Sequence, residues 1–116
     1  MPLNSKTKGS KGELDAAKEL SRLFGTACRR GQQYSGLEGR DVVGMDGVHV
    51  EVKRKEKMNL YTSVEQAVND ATEGDVPLVL HRRNRKPWLA IVRLDDLPTL
   101  VARLYLTLCT EEGDGK

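Results

Sequence analysis

In the middle of the chain, valine alternates with charge. Val48-His49-Val50-Glu51-Val52-Lys53 has a period of two, so a strand here puts three valines on one face and His49, Glu51 and Lys53 on the other. Glu51 and Lys53 then lie about 7 Å apart along the strand. Upstream, Asp41-Val42-Val43 opens a second short strand, and Gly44 to Gly47 supplies the turn. Pairing Asp41 with Glu51 sets Val42 opposite Val50, so both valines face inward. A slip of one residue puts Asp41 against Val50 and strands a carboxylate in an apolar layer, at a cost of several kcal/mol.

Elsewhere the spacing switches between helix and strand. Residues 13–24 read as a helix, with Ala17, Leu20 and Phe24 on one stripe and Gly25 as the stop. A short strand over 26–30 precedes a glycine-punctuated loop, 31–40, that leads into Asp41. Thr62-Ser63-Val64-Glu65 matches a capping box, opening a helix with Val64, Ala67, Val68 and Ala71 in line. Strands over 76–82 and 88–93 flank Arg83-Asn84-Arg85-Lys86-Pro87, a hairpin with a basic tip, and Trp88 is expected half-buried. Asp96 caps a last helix carrying Leu97, Leu100, Val101, Leu104 and Leu108 on one side, with Pro98 in its first turn. Tyr105 and Leu106 lie off that stripe, which points to cover by a second subunit. This order of elements predicts an α/β fold, a mixed central sheet flanked by helices.

A chain of 116 residues makes one domain. Residues 1–12 are polar, with Lys6, Lys8 and Lys11, and read as a flexible basic arm; 13–110 form the single domain; 111–116 read as a frayed tail. Charged residues make up 31% and no apolar run is long enough to span a membrane, so the expectation is a soluble cytoplasmic protein. Cys28 and Cys109 have no partners at zinc spacing and read as reduced core thiols. The net charge is only +2, but the basic residues are clustered. Arg29, Arg30 and Arg40 surround the first loop, Arg54, Lys55 and Lys57 follow Lys53, and Arg82, Arg83, Arg85 and Lys86 sit at the hairpin tip. All are candidate phosphate contacts.

Two carboxylates side by side suit a hard divalent cation, and a nearby ammonium can steady the anion formed when water attacks a phosphodiester. A hairpin whose Glu, Lys and His simply face water accounts for the same alternation. Glu13 falls on the stripe of its helix, where it either turns toward those carboxylates or reaches solvent at the first turn.

Asp41, the turn, and Glu51-Val52-Lys53 together resemble the core motif of the PD-(D/E)XK nuclease superfamily, with Arg40 standing where proline is common. Within it the chain is most similar to the archaeal-type Holliday junction resolvases and their phage relatives. The resemblance implies a restriction-endonuclease-like fold and Mg²⁺ or Mn²⁺ held by Asp41, Glu51 and the Val52 carbonyl. It implies that Glu13, after Lys11-Gly12, helps bind metal, and that Lys53 orients the attacking water or stabilises the transition state. Ser35 matches a loop serine that approaches the cleaved backbone. Gln66, in Glu65-Gln66-Ala67, matches a glutamine near the site, although the helical wheel places it opposite the apolar stripe. His49 reads as lining the rim. The implied partners are four-way DNA junctions and a second copy of the chain. The alternatives are a related nuclease acting on flaps, nicks or ends, and a module that holds DNA through its basic clusters without cutting it.

Overall fold

The computed structural model describes residues 5–31 and 41–114, with side chains described from 11 to 31 and from 41 to 108. The elements in order are helix α1 (Ser5–Phe24), strands β1 (Arg29–Arg30), β2 (Val42–Val43) and β3 (Val48–Arg54), helix α2 (Leu60–Asp70), strands β4 (Val76–Arg82) and β5 (Leu89–Ile91), a 3₁₀ turn (Leu94–Asp96) and helix α3 (Leu97–Asp114). The strands form one sheet in the order β1-β2-β3-β4-β5. Pairing is antiparallel except between β3 and β4, which run parallel and are joined by α2 as the crossover. This is the expected mixed sheet with helices on both faces.

Val42 pairs with Val50, the expected register, in which both valines are buried. The valine face packs on Ala16, Ala17 and Leu20 of α1 and Leu100 of α3, and Leu78 and Leu80 of β4 complete the core. Close approach of α1 to β3 depends on Gly12, where a Cβ would come within 2.6 Å of Arg54 Cβ. Gly25, with φ 69°, ends α1, its N–H bonding to the Ser21 carbonyl at 2.9 Å.

Several boundaries differ from the sequence expectation. Helix α1 starts at Ser5, so residues 5–12, read as a flexible arm, are helical, and α3 runs through Asp114 where a frayed end from Glu111 was expected. Asn59, not Thr62, caps α2: its side chain accepts from the Thr62 N–H at 3.0 Å. Asp96 lies within the 3₁₀ turn, and its carboxylate accepts from Arg93 Nε at 2.7 Å. On α3, Leu100 is buried and Leu104 half-buried, but Leu97, Val101 and Leu108 are exposed along with Tyr105 and Leu106. The helix meets the body along one narrow line, where Arg103 also donates to the Gly47 and Gly74 carbonyls. No helix among the described residues is long and apolar enough to cross a membrane.

Candidate active site

β3 sends its two side-chain rows to opposite layers, and the charged row is not wet. His49 is 1% exposed and Glu51 4%. α2 lies on this side of the sheet, shown by Gln66 Oε1 accepting from Lys53 Nζ at 2.7 Å. A hairpin face lined by solvated charges is thus ruled out for His49 and Glu51. Burying such groups without partners costs several kcal/mol each, so the partners define the site.

Asp41 stands just before β2, next to the Val42–Val50 pair. Its N–H donates to the Val50 carbonyl at 2.9 Å, and its carbonyl accepts from the Gly31 N–H at 2.9 Å. The side chain turns to β3, where Oδ2 accepts from the Val52 N–H at 2.7 Å. In a strand the N–H and C=O of one residue point to the same side, so the Val52 carbonyl also faces the Asp41 edge. Burial, above all, and the neighbouring negative charges of Glu51 and Glu13 push the Asp41 carboxyl up to about 7, against the lowering by the Val52 N–H and by Lys53.

Glu51 Oε1 lies 2.7 Å from His49 Nε2, and both side chains are almost wholly enclosed. A carboxylate in its ionised form can only accept, and toward that form Nε2 is the donor of this bond. Glu13 is 14% exposed and accepts from Arg30 Nε at 2.7 Å. The structure therefore places Glu13 close enough to act on Asp41 electrostatically but pairs it with a residue expected to contact phosphate. Among the described residues, no group of three or more His, Cys, Asp or Glu stands close enough together to hold a metal ion.

The donor set nonetheless fits a hard cation. Asp41, Glu51 and the Val52 carbonyl are all oxygen donors, and Mg²⁺ is commonly held by one or two carboxylates with water completing the shell. Crowding of buried carboxylates is also what a divalent cation relieves.

Both later basic clusters lie at the same end of the sheet, because β3 and β4 are parallel and Lys53 pairs with His81, Arg54 with Arg82. Arg54 donates to Asn84 Oδ1 at 2.8 Å, the Asn84 N–H donates to Glu56 Oε2 at 2.7 Å, and His81 Nε2 donates to the Lys55 carbonyl at 2.9 Å. These bonds brace the hairpin tip against the segment after β3. Arg82 Nε donates to the Lys86 carbonyl at 2.7 Å, while Lys55, Lys57, Arg83, Arg85 and Lys86 are exposed. Arg29 and Arg30 form β1 beside β2. Ser35 and Arg40 lie outside the described residues.

A family model described as phage putative PDDEXK endonuclease matches residues 4–108. The chain belongs to that family. It is accordingly a nuclease of the PD-(D/E)XK superfamily. No curated protein and no solved structure matches the chain.

The burial of His49 escapes a reading of the sequence. His49 is enclosed against Glu51 and is not at a rim; its position two residues before Glu51 on the same face was visible, but its burial depends on α2. Gln66 does lie off the apolar stripe and is exposed, yet the long Lys53 side chain reaches it.

Proposed function

We propose that the protein is a divalent-metal-dependent DNA endonuclease that acts as a homodimer on branched DNA, cutting paired strands of four-way junctions. The observation that carries the metal-dependent reading is the clamp of the Asp41 carboxylate on the Val52 N–H, between Glu51 and Lys53 in the chain and within electrostatic reach of both. Asp41, Glu51 and the Val52 carbonyl would hold Mg²⁺, with Mn²⁺ as a substitute, and Glu13 contributes directly or through water. A bound divalent cation supplies an activated water and offsets the charge that builds on the phosphate.

Lys53 supplies the remaining positive charge. Its ammonium group, held by Gln66, orients the attacking water or steadies the developing oxyanion, an effect that grows in a low-dielectric site. The exposed basic residues beside it, Lys55, Lys57, Arg83, Arg85 and Lys86, contact backbone phosphates. Arg54 and Arg82 shape this surface as well as charging it, and Arg29 and Arg30 on β1 contact the substrate as well, with Arg40 and Ser35 as further contacts. Such contacts read backbone shape more than bases.

A 116-residue chain with one such motif cuts one strand, so paired cuts call for two copies. Exposed Leu97, Val101, Tyr105 and Leu106 on α3 are consistent with a covered face. The test is cleavage of a labelled four-way junction and of a linear duplex with the same sequence, in Mg²⁺ or chelator. Symmetric nicks confined to the junction support the proposal. Equal cutting of both substrates removes the junction preference and leaves a nuclease for other DNA, whereas binding without cutting contradicts the catalytic reading.

A further inference from the structure

The motif accounts for Asp41, Glu51 and Lys53 but leaves the most enclosed polar side chain of the sheet without a task. His49 is 1% exposed, shares the strand face of Glu51, and faces the same layer beneath α2. An imidazole buried only to fill space is a poor choice beside Pro77, its partner on β4, because a valine or leucine would fill that space at no desolvation cost.

We propose that His49 is a positioning residue: its Nε2–H holds Glu51 Oε1 and fixes the carboxylate in the rotamer that presents its other oxygen to the cation. Glu51 has three side-chain torsions, and no other partner of its carboxylate is seen among the described residues. Without a second hydrogen bond, a carboxylate on so flexible a stem spends part of its time turned away from the Asp41 side. A metal-binding carboxylate is normally oriented by such an outer partner, and loss of that partner typically weakens metal binding by about 10–100-fold. Among the described residues Nδ1 of His49 has no hydrogen-bond partner, so the ring's one satisfied contact is the one to Glu51. The inference rests on the proposed function, since it assigns Glu51 to a cation.

The test is Mn²⁺ binding to the full chain by calorimetry. Wild type is expected to bind, and Glu51→Gln to lose most of that binding. His49→Phe, which fills the site without a donor, is expected to weaken binding by about 10–100-fold. His49→Gln, whose amide nitrogen reaches close to the place of Nε2, is expected to stay within a few-fold of wild type. Binding by His49→Phe equal to wild type overturns the inference and leaves the proposed function standing, and equal losses in both His49 variants do the same. Absence of Mn²⁺ binding in wild type, or its persistence in Glu51→Gln, overturns the metal assignment itself.

A measurement on wild type decides the matter even if the variants fail to fold. With ¹⁵N-labelled histidine, His49 is expected to be the Nε2–H tautomer, and its Nε2 resonance is expected to shift on adding Mg²⁺ with the same saturation as metal binding. Metal binding that leaves this resonance unmoved overturns the positioning role.

Discussion

On one face of β3, Val48 and Val50 are 1% and 0% exposed against α1; on the other, His49 and Glu51 are 1% and 4% exposed on the side of α2. Burial is nearly equal, but its consequences are opposite. Removing apolar side chains from water stabilises the fold by about 25 cal/mol per Å². Removing a carboxylate from water costs free energy, and among the described residues it is offset by the short bond to His49. The valine face therefore holds the strand in register, and that register gives the charged face its geometry. A site built this way sacrifices stability on one side of a strand that the other side secures.

Substitutions on the two faces should separate these effects. Glu51→Gln is expected to lower the rate of metal-dependent cleavage by on the order of 10³-fold or more, with little loss of thermal stability, since it removes a costly buried charge. Lys53→Met is expected to lower the single-turnover rate by about 10²–10³-fold while leaving DNA affinity nearly intact. Gln66→Leu should give a smaller loss in the same assay, because the Lys53 ammonium group is kept and only its anchor goes.

On the opposite face, Val50→Ala is expected to cost about 2–3 kcal/mol of stability, combining lost transfer energy with the cavity left behind. Its cleavage rate per folded molecule should match wild type. A denaturant titration paired with the cleavage assay checks both halves, and a Val50→Ala protein that is stable but slow would break the distinction between the faces.

The smallest effect should come from the hairpin tip. Arg85 has φ 63°, a left-handed conformation that glycine adopts without strain, so Arg85→Gly is expected to leave stability within about 1 kcal/mol of wild type. DNA binding should weaken modestly, and the slope of log affinity against log salt should shrink by about 1, read from binding at several salt concentrations.

The register of β2 on β3 was legible because a period of two excludes the one-residue slip, which sets Asp41 against the buried Val50. The motif residues followed from that pairing. Helix ends were less legible: Asn59 and Thr62 are both good cap formers three residues apart, and only the fold selects Asn59. The early start of α1 was hidden by residues 5–12, which carry no apolar stripe. Contacts between distant segments were out of reach altogether. Pairing of Glu13 with Arg30 joins residues on different elements, and the enclosure of His49 requires knowing where α2 crosses the sheet. The apolar residues of α3 were readable as a stripe, but how many of them its narrow seat would cover was not.

In the proposed mechanism the carboxylates of Asp41 and Glu51 bind a divalent cation to cut DNA. The most direct measurement is single-turnover cleavage as Mg²⁺ is titrated, for wild type and Glu51→Gln, with folding of both confirmed by circular dichroism. Cleavage that saturates with Mg²⁺, vanishes in chelator and falls by on the order of 10³-fold in the folded variant is the predicted result. Cleavage in chelator, or a Glu51→Gln rate equal to wild type, would contradict it.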